Sequence, residues 1–191
     1  MGVDMALTAK PFVFLRHGET FYNRARIIAG RFDVPLTPEG EAQARAAHDL
    51  LARFDWSYIA VSTMFRARKT ARLAVPEGTF NYFDGLRERN WGVLEGQPIR
   101  EPMPYFEAPR GGESWEAFSG RVLDVLNTVL ARHERPLFVA HSGVFRVIRT
   151  VTQGSPFGSR VGNVEPILCS PPDADHDAWR LEPLAAVTGR P

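Results

Sequence analysis

Phe12-Val13-Phe14-Leu15-Arg16-His17-Gly18-Glu19-Thr20 is the stretch from which the fold is read. Its first four residues form an apolar run with the length and composition of a buried strand. Arg16 and His17 then fall where the strand hands over to a loop. In open α/β sheets, ligands bind beyond the carboxyl ends of strands. A guanidinium beside an imidazole at such a place suits an anion and a nucleophile or base. Taken alone, Arg16-His17-Gly18 is better read as the polar end of a strand, because short motifs match by chance. Two further units of the same design reverse that reading.

The run Trp56-Ser57-Tyr58-Ile59-Ala60-Val61 reads as a second strand. Ser62-Thr63 then caps a helix from Met64 to about Val75, with Arg66 in its first turn. Free N–H groups and positive partial charge at a helix N-terminus attract an anion, and an arginine there adds a bidentate clamp. Leu137-Phe138-Val139-Ala140 is a third strand and delivers His141-Ser142-Gly143. A helix follows, with Val144, Val147, Ile148 and Val151 on one side, and stops at Gly154. Strands alternating with helices imply a mostly parallel sheet with helices on both faces, a three-layer α/β sandwich.

The intervening chain fits this frame. Thr37-Pro38-Glu39 starts a helix running to about Arg53, with Thr as N-cap and Pro at the first helical position. His48 lies in it and is given no role. Residues 79–83 form a short edge strand. Residues 97–110 are Pro-rich and aperiodic, an irregular loop near the site. Ser114 opens the longest helix, whose Trp115, Phe118, Val122, Val125, Leu126 and Val129 recur at helical spacing as core. It ends near His133. Residues 164–169 make a further strand and 178–181 a last edge strand. His176, between Asp175 and Asp177, belongs to a polar turn rather than a metal site.

Composition sets the outer bounds. The 191 residues suggest one domain, able to bury roughly 70% of its unfolded surface. The 44% hydrophobic and 24% charged fractions are those of an ordinary globular protein, and a net charge of +1 speaks against a dedicated nucleic-acid binder. The single cysteine, Cys169, reads as a core residue and fits a reducing, cytoplasmic setting. No apolar run approaches the ~20 residues that span a bilayer. Residues 1–10 form a loose tail without the features of a signal peptide. Gly2 is followed by Ala6 where myristoylation needs Ser or Thr.

In a parallel sheet all carboxyl ends face one edge, so Arg16, His17, Arg66 and His141 meet in one pocket. They repel one another unless an anion joins them, and a phosphate dianion is the natural guest. A neutral His17 is a competent nucleophile toward phosphorus through Nε2 if a backbone carbonyl holds Nδ1–H. Arg16, Arg66 and His141 would hold the equatorial oxygens of the transferring group. The leaving alkoxide needs a proton, and Glu88 is the candidate acid, later the base that activates water. There is no His-Glu-x-x-His and no acidic cluster of ligand type, so neither a metal nor another cofactor is called for.

With these residues in order, the chain resembles the histidine phosphatase superfamily, the phosphoglycerate mutase-like family, over roughly residues 11–170. The matching pieces are Leu15-Arg16-His17-Gly18-Glu19-Thr20 with Asn23, Gly30 with Asp33-Val34-Pro35-Leu36-Thr37, and Ser62 with Arg66-Ala67 and Thr70-Ala71. Leu86-Arg87-Glu88 with Trp91-Gly92 and Glu95-Gly96, Gly112-Glu113-Ser114 and His141 complete them. The resemblance implies a phosphoglycerate mutase-like fold and His17 as the phosphorylated nucleophile. It makes Arg16, Arg66 and His141 the phosphate pocket, Glu88 the acid/base and Asn23 a supporting contact. Gly30 and Ser142 complete the expected binding set. Ala29 stands where a glutamine or threonine often precedes the glycine. Ser142 replaces a glycine, and its hydroxyl either adds a donor to the pocket or caps the following helix, the cap being the first expectation.

Phosphatases and mutases of this family share the chemistry and differ in the phosphoryl acceptor. The short connection between Glu88 and Gly112 leaves the pocket open to water. The expectation is a phosphomonoesterase acting on a small metabolite phosphate, without nucleic-acid or membrane partners. A phosphoglycerate mutase-type transfer is the runner-up, then a phosphoprotein phosphatase. A non-catalytic phosphate-binding module would need neither His17 nor Glu88.

Overall fold

A computed structural model describes residues 6–186. A six-stranded sheet forms its middle layer, in the order β3-β2-β4-β1-β5-β6. The strands are β1 (Phe12–Arg16), β2 (Tyr58–Ser62), β3 (Phe80–Phe83), β4 (Pro136–Ala140), β5 (Ile167–Ser170) and β6 (Arg180–Pro183). The first four run parallel; β5 and β6 complete one edge antiparallel. Side chains alternate across each strand, and β1 divides its residues between two cores accordingly. Phe12 and Phe14 pack with Phe138, Phe145 and Leu126 on one face, while Val13 and Leu15 join Val61, Val139 and Leu51 on the other.

The helices covering these faces are α1 (Phe21–Arg24), α2 (Pro38–Ala46), α3 (His48–Leu51), α4 (Phe65–Ala74), α5 (Trp115–Arg132) and α6 (Ser142–Gln153). The second core takes its helical residues from α2, α3 and α4, the first from α5 and α6. The three-layer α/β sandwich and the mostly parallel sheet are thus both found. Thr37 caps α2 by accepting from Gly40 N–H, and Ser114 caps α5 by accepting from Ala117 N–H. No helix among the described residues is long and apolar enough to cross a membrane.

Several boundaries differ from those read off the sequence. The helix expected from 38 to 53 is divided at Ala47, which ends one helix and caps the next. Val164 has a positive φ of 52° and donates its N–H to Arg16 O, so the fifth strand begins only at Ile167. The last strand lies two residues later than expected, at Arg180–Pro183. Of the loose tail expected over 1–10, residues 1–5 lie outside the described residues. The remainder is tied to α5: Asn127 accepts from Thr8 N–H and donates to Ala6 O.

Candidate active site

The register of the sheet assembles the site. Arg16 pairs with Ala140 across β1 and β4, so the next residues, His17 and His141, emerge side by side. Their ring centroids are 5.2 Å apart. His17 N–H donates to Ala140 O at 3.0 Å. Its Nδ1 lies 2.8 Å from Gly18 O, a carbonyl that can only accept, so the proton sits on Nδ1 and Nε2 keeps its lone pair. Burial, followed by the nearby guanidinium groups of Arg66 and Arg16, holds the His17 pKa well below that of an ordinary histidine. The imidazole is therefore neutral at pH 7. Gly18 is required by its neighbour: a Cβ there would collide with the backbone of Gly40 in the first turn of α2.

Arg66 sits in the first turn of α4 and is 1% exposed. It donates from Nη1 to Phe32 O at 2.8 Å and from Nη2 to Gly30 O at 3.0 Å. The cap expected from Ser62-Thr63 is replaced. The N-cap is Met64, without a side-chain bond, and the Asp33 carboxylate accepts from Phe65 N–H instead. A carboxylate satisfies free N–H groups at a positive helix end better than a hydroxyl does. Thr63 turns to Asp84 and Ser62 to His141. Arg16 donates from Nη1 to Val161 O at 2.9 Å. Burial lowers its pKa to about 10 against the opposing pull of Glu88, so it remains charged.

Glu88 follows the short loop after β3. Its Oε1 accepts from Arg89 N–H at 2.8 Å and its Oε2 from Gly143 N–H at 3.0 Å, in the first turn of α6. Gly143 leaves room for that carboxylate, where any side chain would overlap it. Ser142 corrects an expectation: it is the first residue of α6, not its cap, and its hydroxyl is 3.4 Å from Glu88 Oε2. Asn23 is held by a capping box with Thr20, its Oδ1 accepting from Thr20 N–H and from Asn163.

Arg16, His17, Asn23, Gly30, Arg66, Glu88 and Ser142 all line one cavity of about 180 Å³. His141 does not. It is fully buried beneath, bonded through Nε2 to Ser62, with its own pKa pushed well down by burial and then by Arg66 and His17. Among the described residues, the buried side-chain polar atoms without a hydrogen-bond partner include Arg16 Nε, Arg66 Nε and His141 Nδ1. No group of three or more His, Cys, Asp or Glu among the described residues is placed to hold a metal ion.

Further residues line the cavity, some of them on the loop at 97–110 that was expected near the site. Ile99, Met103 and Tyr105 of that loop line it with Trp91, as do Arg146, Arg160, Val161 and Asn163. Arg146 was legible, since it lies one turn beyond Ser142 on the same helix face. Arg160 and Asn163 belong to a loop without any period to flag them. Asn163 also donates to His17 O at 2.7 Å, bracing the backbone of His17.

Residues 12–160 match the family model described as histidine phosphatase superfamily (branch 1). The chain is 29% identical over 151 residues to an uncharacterized phosphatase, PhoE, of Bacillus subtilis, covering 73% of this chain and 76% of the relative. It is 30% identical over 167 residues to a metal-independent phosphoserine phosphatase of Arabidopsis thaliana, covering 76% and 70%. The solved structure of a phosphoglycerate mutase from Thermus thermophilus superimposes with a TM-score of 0.70 at 29% identity, covering 90% and 98% of the two chains.

Proposed function

The chain belongs to the histidine phosphatase superfamily, a family of phosphatases and mutases, and from that premise we propose that it is a metal-independent phosphomonoesterase acting on a small metabolite phosphate through a phosphohistidine at His17. One observation carries the proposal above the others. His17 is neutral, has its Nε2 lone pair free, lines the cavity, and is flanked by the guanidinium groups of Arg16 and Arg66, of which only Arg66 has a carboxylate partner among the described residues, Asp33 at 3.5 Å.

In this reading the substrate's phosphate enters between Arg16 and Arg66, whose unpartnered Nε atoms take its oxygens. His17 Nε2 attacks phosphorus in line with the leaving oxygen. Charge spreads over the equatorial oxygens, and the arginines, fixed beforehand by backbone carbonyls, stabilise it without reorganising. Glu88 gives its proton to the departing alkoxide. It then takes one from water, which attacks the phosphohistidine and frees inorganic phosphate. Asn23 and Ser142 line the same cavity.

The assay is turnover of p-nitrophenyl phosphate in EDTA. Release of p-nitrophenol, with a phosphoenzyme that is labile in acid and stable in alkali, is expected. Turnover abolished by the chelator would overturn the metal-free mechanism, and no turnover at all would favour a binding module. The cavity's Arg146 and Arg160 could receive the carboxylate of a phosphorylated acid, which keeps the mutase reading in view. Interconversion of phosphoglycerates that depends on a bisphosphorylated cofactor would establish it. Phosphoserine, prompted by the Arabidopsis relative, is the first member of the hydrolysis panel.

A further inference from the structure

Ser62 ends β2 and is wholly buried. Its Oγ lies 2.8 Å from His141 Nε2 and accepts a longer, 3.3 Å bond from Met64 N–H. In the sheet order, β4 lies between β2 and β1, so Ser62 and His17 flank His141 from opposite sides. The other ring nitrogen of His141, Nδ1, is buried without a partner.

Two proton placements satisfy the 2.8 Å contact. If Nε2 carries the proton, it donates to Oγ. The Ser62 hydroxyl proton then has no acceptor among the described residues, and Nδ1 is an unpaired lone pair as well. If instead Ser62 O–H donates to Nε2, the hydroxyl is satisfied both as donor and as acceptor. Only Nδ1–H is then left over, and it is a donor. A buried hydroxyl without an acceptor is costly, so the second placement prevails.

We infer that Ser62 is a positioning residue: by donating to Nε2 it fixes His141, whose ring centroid lies 5.2 Å from that of His17, in the Nδ1–H tautomer, and thereby leaves a neutral imidazole with an unpartnered N–H to serve the phosphoryl group carried by His17. The inference rests on the phosphoryl-transfer reading above. It explains how a histidine among Arg16, Arg66 and His17 serves an anion. An imidazolium would add a third cation to an already crowded site, whereas a neutral ring in this tautomer contributes a proton without a charge. Burial and the same neighbours hold the ring neutral.

Nitrogen-15 NMR of the histidine-labelled, unliganded protein at pH 7.5 tests this directly. His141 should show a protonated Nδ1 and a bare Nε2, and inorganic phosphate should move the Nδ1 signal. Ser62→Ala should redistribute the proton toward Nε2, weaken inorganic phosphate about tenfold and lower kcat by a similar factor. Ser62→Thr, which keeps the hydroxyl, should retain the tautomer and regain most of the affinity. A merely structural role would lower stability in Ser62→Ala and leave the tautomer alone. A protonated Nε2 in the wild-type protein overturns the inference, whether or not any variant folds. So does a Ser62→Ala protein with an unchanged tautomer and unchanged phosphate affinity. Failure of the wild-type protein to turn over p-nitrophenyl phosphate would instead count against the phosphatase reading, because the tautomer is measured without substrate.

Discussion

Arg66 and Arg160 line the same cavity under opposite conditions. The side chain of Arg66 is 1% exposed, is bonded to the carbonyls of Gly30 and Phe32 and lies 3.5 Å from the Asp33 carboxylate. That of Arg160 is 45% exposed and is held by an ion pair to Glu101, itself 50% exposed. The contrast extends to their surroundings. The floor of the cavity stands on the end of β1 and the first turns of α4 and α6, with Glu88 brought in by the segment after β3 and fixed to α6. The rim consists of the loops around residues 97–110 and 155–163, which meet through that ion pair and through the edge contacts of Phe157 with Tyr105 and Phe106. Rigid elements hold the groups that must be placed to within fractions of an ångström; loops hold those that select among substrates. If this division is right, substitutions at the floor should alter chemistry and those at the rim should alter choice.

The largest effect should come from the proposed nucleophile, His17. His17→Ala should abolish phosphoenzyme formation and reduce turnover by roughly 10⁴-fold or more, with the far-ultraviolet circular dichroism unchanged. Substantial residual turnover would show that the floor can work without a covalent step. Glu88→Gln comes next. It should slow alkyl phosphates by about 10²–10³-fold and p-nitrophenyl phosphate far less, since that leaving group departs with little help from an acid. Equal losses on both substrates would remove Glu88 from proton transfer.

The floor was largely legible in the sequence, whereas of the rim only the loop at 97–110 was placed near the site and its individual residues were not, for a physical reason. Phe12-Val13-Phe14-Leu15 and Leu137-Phe138-Val139-Ala140 announce buried parallel strands, and the polar residue after each run must then lie at a common edge. Arg66 was placed by the helix start around it. Ser62 was taken for a cap, because hydroxyl residues before helices usually are; its true partner, His141, lies 79 residues away. Asp33, which took over the capping, sits in a loop whose approach to α4 has no local signature. Arg160, Asn163 and Tyr105 are held by contacts between loops, and such contacts follow no period.

A smaller and separable effect distinguishes floor from rim by pH. His17 and His141 are neutral in the folded chain, with pKa values held well below the ordinary 6.5 by burial and then by the neighbouring Arg66. The unfolded chain protonates both near 6.5, so below that pH it binds more protons than the folded one. Stability should then fall as pH drops below about 6.5, by up to about 1.4 kcal/mol per pH unit for each histidine. Above that range these residues contribute no slope. Urea midpoints from pH 8 to pH 5 measure this, and His141→Asn should flatten the acid slope. A slope unchanged by that substitution would mean that His141 is not kept neutral.

The smallest effect is expected at the rim. The pair of Arg160 and Glu101 is exposed on both sides, and such pairs are worth about 0–1 kcal/mol. Glu101→Gln should therefore leave the urea midpoint nearly unmoved. The turnover of p-nitrophenyl phosphate, which carries no second acidic group, should also hold. Arg160, released from its carboxylate while still lining the cavity, becomes available to a second acidic group on the substrate. KM for phosphomonoesters bearing a carboxylate should fall severalfold, and the gain should shrink in high salt, as expected for a solvent-exposed charge. KM values that change equally for substrates with and without the carboxylate would mean that the pair shapes the rim as a whole. A loss of kcat on p-nitrophenyl phosphate would break the contrast itself, because a loop residue outside the cavity would then be setting the geometry of the floor.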